Sequence, residues 1–335
     1  MIEYKKLGTK ILFFDNISEI LKTLPQNPIL ICDSNVLNLY NIYFQNFKKI
    51  IIKPGENHKN FNTLQQIFED LLKLNADRNS HLIALGGGVT TDLTGFTAAI
   101  YKRGVIHSFI PTTFLAQIDA SIGGKNAINF KQTKNVIGTF KHPENIYIST
   151  EFLKTLKNKE IKNGIAELIK IAIIADHKFF EKIYTKINSD NFNNLINLNT
   201  IKKAIKLKMS FVTKDYYESN IRKILNFGHT FAHPIELLYK VSHGLAVLEG
   251  IKIALRLSEK LCHLQNKIAE KINYTISKID PYNLNINKQL IFEKIYNDKK
   301  TFGENIDLIL LKNIAQPIIY KIKLNKLEKI YYDLP

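Results

Sequence analysis

Tryptophan is absent from the 335 residues, and cysteine and methionine occur only twice each. Cys32 and Cys262 stand outside any Cys-x-x-Cys pair and away from the histidines. That spacing excludes a disulfide framework and a zinc ribbon, and leaves both thiols to be reduced packing residues. Long apolar runs are lacking too: the candidates, such as Ile169 to Ala175, fall far short of the roughly 18 residues a membrane span needs. The opening Met1-Ile2-Glu3-Tyr4-Lys5-Lys6 has no basic and then apolar run of the secretory kind. No membrane partner is expected, and the expected location is the cytoplasm. Acidic residues are scarce, 30 against 47 Lys and Arg, for a formal charge of +17. The lysines are dispersed, and Lys202, Lys203, Lys206 and Lys208 fall at helical spacings. That reads as a solvated surface, with no nucleic-acid stripe and with room for an electropositive pocket that attracts an anionic substrate.

What is present falls into two halves. The first alternates short apolar runs with amphipathic segments: Ile29 to Cys32 before Asp33-Ser34-Asn35, Lys49 to Ile52, and His81 to Leu85 before three glycines, with Phe61 to Leu74 between. Strands punctuated in this way predict βαβ units on a parallel sheet, an α/β nucleotide-binding domain over 1–155. From about Lys157 the apolar residues recur at helical spacing, as in Ile161 to Ile174, Ile201 to Phe211 and Leu245 to Leu264, which predicts an all-α domain over 156–335. The Asn-rich 188–199 reads as a loop.

Chemistry-bearing residues recur after successive predicted strands. Gly86-Gly87-Gly88-Val89-Thr90-Thr91-Asp92 follows one strand and opens a helix. Backbone N–H groups there can approach a phosphate, although a tight turn needs glycine in any case and the spacing is not G-x-G-x-x-G. Asp33 and Asn35 end another strand, where an acid can bond a ribose hydroxyl, and Pro54-Gly55-Glu56 with Lys59 follows the next. Pro111-Thr112-Thr113, Asp119, Gly123-Gly124-Lys125 and Lys134-Asn135 add amides and cations. Asn126 stands where a P-loop carries Ser or Thr, so Lys125 reads as a point charge for an anion. In the helical half, Glu167 and Lys170 share a helix face, as do His229 and His233, with His243 ten residues on. One carboxylate with imidazoles is a donor set for a borderline divalent ion, and spacing alone pairs His233 with His229 as ligands.

In this order, these segments resemble the 3-dehydroquinate synthase family from about Asp33 to Lys300, most specifically at Gly86 to Asp92, Pro111 to Asn135, Gly164 to Lys170 and Arg222 to His233. The resemblance implies a cyclase that uses catalytic NAD and zinc or cobalt to turn an anionic sugar phosphate into 3-dehydroquinate and phosphate in the shikimate pathway. It implies NAD contacts at Asp33, Glu56, Lys59, Gly88, Val89, Asp92, Thr112, Thr113, Lys134 and the run from Phe152 to Thr155; Asn35, Gly87, Asp119 and Lys125 stand with them as candidate cofactor contacts. It implies metal ligation by Glu167, His229 and His243. To substrate binding and catalysis it assigns Arg103, Lys125, Asn135, Lys170, Lys208, Arg222, Asn226, His233 and one or both of Lys299 and Lys300, with Arg103 reaching across a homodimer. Thr91, Leu245 and Pro234 depart from the family pattern: Thr91 crowds the glycine turn, Leu245 replaces a Glu beside His243, and Pro234 suggests a helix starting near Thr230. Alternatives are a 2-deoxy-scyllo-inosose synthase-like cyclase and a metal-dependent polyol dehydrogenase, which would release NADH. Lys125, Arg222, Lys299 and Lys300 could bind a carboxylate and so favour the acidic substrate.

Overall fold

The computed structural model describes residues 1–131, 133–189, 192–281, 284–299 and 304–334. The chain divides into two compact units, one of Met1–Ile161 with Ile196–Ile205 and one of Lys162–Leu195 with Lys206–Pro335. Among the described residues, no helix is long and apolar enough to cross a membrane.

The first unit is built on β1 (Ile2–Tyr4), β2 (Thr9–Phe14), α1 (Ile17–Leu21), β3 (Ile29–Asp33), α2 (Ser34–Phe44), β4 (Lys48–Ile52), α3 (Phe61–Lys73), β5 (His81–Gly86), α4 (Gly88–Ile100), β6 (Ile106–Pro111), β7 (Lys125–Phe130), β8 (Thr133–Phe140) and β9 (Asn145–Ser149). Seven strands form one sheet in the order β1-β2-β9-β6-β5-β3-β4, parallel except at β1, while β7 and β8 make a separate hairpin. Alternation along β3 explains the layering. Ile29 and Ile31 pack with Leu64, Ile67 and Leu71 of α3 and Leu93 and Phe96 of α4. Leu30 and Cys32 turn to the other face, against Ile17, Ile20, Tyr40 and Phe44 of α1 and α2. Cys32 is a buried free thiol in that layer. Lys202, which belongs to this unit, lays its ammonium 5.0 Å from the Phe13 ring centroid.

The rest of the chain supplies α5 (Asn158–Ala175), α6 (His177–Asn188), α7 (Leu198–Val212), α8 (His229–Tyr239), α9 (His243–Cys262), α10 (Asn266–Ile279), α11 (Lys288–Lys299), β10 (Asn305–Asn313), β11 (Gln316–Lys323) and α12 (Leu324–Tyr332). The architecture is the expected α/β part followed by a helical part, with one addition. Antiparallel β10 and β11 interrupt the helices, and β10 is buried at Ile306 and continuously from Leu308 to Leu311, a short apolar run of the kind a strand covered on both faces carries. The Asn-rich stretch carries a single turn of helix at Phe192–Leu195.

Two close approaches set the helix ends of the second unit. Gly228 caps α8 at φ +81°, and a Cβ on Gly250 of α9 would fall 2.1 Å from the Gly228 carbonyl oxygen. A Cβ on Gly244 would lie 2.5 Å from Cα of Asn163 on α5. Backbones this near admit only glycine, so α5, α8 and α9 meet at their site-bearing turns.

His107 of β6 is buried beneath the sheet edge. Burial first, then the charges of Lys141, His81 and His142, pushes its pKa from 6.5 down to about 3. The unfolded chain takes up this proton near pH 6.5, and the folded chain only near pH 3. Stability present above pH 6.5 is therefore lost as pH falls toward 3. Urea unfolding should show the wild type losing more stability between neutral and about pH 4 than His107→Phe does; parallel losses would contradict this account.

Candidate active site

Because the strands are parallel, their C-terminal ends lie along one edge of the sheet. The register sets Asp33 level with Ile52 and Gly86 level with Pro111. The chain runs from β3 outward to β4 and then returns to β5 on the other side of β3, so the strand order reverses between β3 and β5. Open α/β sheets bind ligands at such a reversal. Asp33 ends one of these two strands and the Gly86-Gly87-Gly88 turn ends the other. No side chain caps α4, which leaves its first-turn N–H groups directed at that edge. A Cβ on Gly86 would meet Thr90 Oγ1 at 2.4 Å, and none of the three glycines has a positive φ, so packing rather than a left-handed backbone selects glycine here. Thr91 fits without strain: it lies inside α4, outside the positive-φ residues, and its hydroxyl donates to the Gly88 carbonyl at 3.0 Å.

The other candidate cofactor residues gather by hydrogen bonding. The Asp33 carboxylate accepts from the Val36 N–H at 3.0 Å and so also caps α2; burial pushes its pKa up. Lys59 pairs with the Asp92 carboxylate and donates to Asn135 Oδ1 at 2.5 Å. Asn129 accepts from the Asn135 N–H at 2.9 Å and donates to Glu56 Oε1 at 2.8 Å. Glu56, Lys59, Asp92 and Asn135 thus form one network, to which the sequence reading had not assigned Asn129. Thr112 donates its N–H to the Gly86 carbonyl at 2.9 Å, and Thr113 Oγ1 accepts from Ala116. Asp119 sits in a turn of π-helix at Ala116–Ala120. The Tyr40 hydroxyl ties Phe152 and Thr155 to α2, 3.2 Å from the Phe152 carbonyl and 2.7 Å from Thr155 Oγ1. Lys125 opens β7, and Lys134 lies exposed in β8 beside Asn135.

In the second unit, Glu167, His229 and His243 bring one ligand atom each to within 4.8 Å of one another. Glu167 Oε1 lies 3.2 Å from His243 Nε2 and 3.5 Å from His229 Nε2, while Oε2 lies 2.5 Å from the Lys170 ammonium. Burial alone would raise the Glu167 pKa, but Lys170 and the two imidazoles hold the carboxyl well below its ordinary range. Burial and Lys170 keep His229 neutral, well below 6.5. His243 goes the other way: against burial, hydrogen bonds to Glu167 and Glu236 push it up to about 9. His233 stands beside the triad and not in it, its ring centroid 5.4 Å from that of His229.

Glu236 is a residue the sequence reading missed. Its Oε2 lies 3.4 Å from His243 Nδ1, on a histidine that Leu245 leaves without a neighbouring carboxylate two residues on. The signal was present, since Glu236 follows His229 by seven residues and so shares its helix face. Helix α8 begins at His229, one residue before the expected start, and Pro234 is its sixth residue, past the first turn. The proline costs the helix the bond its N–H would make to Thr230.

Arg222 is fully buried, donating from Nη1 to the Tyr216 carbonyl at 2.6 Å, with Nε 3.8 Å from Glu218. The same Glu218 accepts from Asn226 Nδ2 at 2.6 Å. Asp215 anchors that loop, accepting from the N–H groups of Ser219, Asn220 and Arg222. Glu218 and Asp215 also escaped the sequence reading, because their partners are defined by the loop and by no motif. Lys208 lies on α7, Lys299 ends α11, and Lys300 lies outside the described residues.

Comparison with known proteins bears on both units. Family models described as 3-dehydroquinate synthase N-terminal and 3-dehydroquinate synthase C-terminal match residues 49–163 and 164–301. The 3-dehydroquinate synthase of Clostridium tetani is 39% identical over 313 residues, covering 89% of this chain and 83% of that protein. That of Campylobacter hominis is 39% identical, covering 94% and 93%. Among solved structures, 2-deoxy-scyllo-inosose synthase with carbaglucose-6-phosphate, NAD+ and Co2+ superposes with TM-score 0.86 at 23% identity, covering 97% and 96%. A Streptomyces hygroscopicus 2-epi-5-epi-valiolone synthase with NAD+ and Zn2+ gives 0.86 at 21%, covering 100% and 98%. At those identities the likeness is one of fold.

The glycine turn makes a direct forecast. Gly86→Ala should lower the urea unfolding free energy by about 1–3 kcal/mol, the usual cost of overpacking; an unchanged value would mean that Thr90 yields freely.

Proposed function

Because the chain belongs to the 3-dehydroquinate synthase family, we propose that it converts 3-deoxy-D-arabino-heptulosonate 7-phosphate to 3-dehydroquinate and inorganic phosphate. It is a lyase that closes a ring as phosphate leaves, a step of the shikimate pathway. The observation that carries the reading beyond membership is the convergence of one carboxylate and two imidazoles within 4.8 Å. Three such donors suit zinc or cobalt and leave a coordination position open. In this reading Glu167, His229 and His243 hold the ion, and Asp33, Glu56, Lys59, Gly88, Asp92 and Thr112 contact NAD. When bound, the ion supplies Lewis acidity and NAD a temporary hydride sink, which together acidify the C–H bond next to the oxidised carbon.

The chain's own residues bind, orient and handle protons. Lys125, Lys208, Arg222 and one of Lys299 and Lys300 hold the substrate's carboxylate and phosphate, fixing one reactive pose. Glu218 presets Asn226 through its 2.6 Å hydrogen bond. Lys170, drawn to Glu167, keeps a positive charge where alcohol oxygens gain negative charge. His233, beside His229, hydrogen-bonds substrate and moves protons, and Asn135 joins the substrate contacts from the network around Lys59. The reading includes a cytoplasmic homodimer in which Arg103 reaches from a second copy.

With substrate, NAD and zinc, the purified chain should release phosphate and dehydroquinate in equal amounts with no net NADH, and glucose 6-phosphate should give neither. Glu167→Ala should abolish turnover while its circular dichroism stays that of the wild type; full activity would refute the metal assignment. Glu236→Gln should weaken zinc binding about 10- to 100-fold in equilibrium dialysis, since Glu236 orients His243. Unchanged affinity would make Glu236 a bystander.

A further inference from the structure

Helix α9 begins at the residue that brings an imidazole to Glu167, so whatever fixes that helix start also fixes the cluster. The first N–H groups of a helix have no acceptor within it. Two side chains serve those of α9. Ser242, just before the helix, accepts from the Leu245 N–H at 3.4 Å. The Gly244 N–H goes elsewhere: it donates to Oδ1 of Asn163 on α5, 2.9 Å away in a buried contact. Asn163 is itself buried, and all of these residues belong to the second unit.

Two relations make this contact more than a cap. Asn163 precedes Glu167 by four residues on α5 and so shares its face. Gly244 is the residue next to His243. One hydrogen bond therefore joins the turn before the carboxylate to the peptide beside the imidazole. The close approach of Gly244 to the Asn163 backbone limits how near α5 and α9 come. A van der Waals contact has no preferred direction, however, and by itself leaves α9 free to turn on that point. A hydrogen bond weakens steeply as its angle falls, so it fixes the turn as well. With the turn is fixed the reach of His243, whose Nε2 stands 3.2 Å from Glu167 Oε1. Glu236 acts on Nδ1 of the ring, whereas Asn163 acts on the backbone that carries it.

We propose that Asn163 is a positioning residue of the cluster, setting through the Gly244 N–H where His243 stands relative to Glu167. The proposal rests on the reading of Glu167, His229 and His243 as ligands of a divalent ion, and adds to it a residue that is not itself a ligand.

The test is equilibrium dialysis of the metal-stripped full chain against zinc, with cobalt as a spectroscopic probe. Asn163→Ala, which lacks the acceptor, should bind zinc about 10- to 100-fold more weakly than the wild type, as happens when a group that orients a ligand is lost. Its circular dichroism without metal should stay that of the wild type. Asn163→Asp should regain wild-type affinity, because Asn and Asp are equivalent acceptors at helix starts. Cobalt in Asn163→Ala should show visible bands shifted from those of the wild type, since they report ligand geometry. A purely structural bond would lower the urea midpoint and leave zinc affinity and cobalt bands unmoved. Either readout unmoved, Asn163→Asp as weak as Asn163→Ala, or an unfolded metal-free Asn163→Ala would overturn the proposal. A wild type that binds no zinc would remove the ligand reading itself, and this proposal with it.

Discussion

A carboxylate 2% exposed is the constraint around which the second unit is organised. An isolated charge at that depth costs several kcal/mol, and Glu167 stays ionised only because Lys170 stands on one of its oxygens and two imidazoles on the other. The compensation is asymmetric. Lys170 supplies a permanent charge from the same helix face, whereas His229 is neutral and His243 is protonated in the ion's absence. A divalent ion among the three would take over the role of that proton, so burial of one acid sets the charge balance of the cluster.

The backbone makes this arrangement possible. Glu167 lies inside a helix, but each histidine is the first residue of its own helix, and those starts are held by glycine contacts too close for any side chain. Glu236 then steadies the imidazole of His243. Leu245 offers no carboxylate two residues after His243, and the one beside the His243 ring comes from Glu236 of α8.

The first unit uses a different device. A parallel sheet sends every strand end to the same edge, so residues more than a hundred positions apart, from Asp33 to Thr155, are presented together without contacting one another in sequence. Hydrogen bonds then refine the placement. Lys59 is the clearest case: its ammonium joins Asp92 on α4 to Asn135 on the β7–β8 hairpin and leaves the cation fixed near the turn.

The sequence by itself determined the succession of strands and helices, the glycine turn, and the carboxylate and histidines of the metal-type cluster, because periodicity and short spacings are local properties of a chain. It carried hints of Glu236 on the face of α8. Spacing alone paired His233 with His229, the resemblance named His243 instead, and the tertiary structure sets His243 and not His233 in the cluster with Glu167, since two histidines one turn apart look equivalent until a third helix chooses between them. Only the tertiary structure decided the β10–β11 hairpin, the anchoring of Arg222 by Asp215 and Glu218, and the burial of His107. Each depends on which distant atoms share a buried space, and that is fixed by packing and desolvation, which no local pattern encodes.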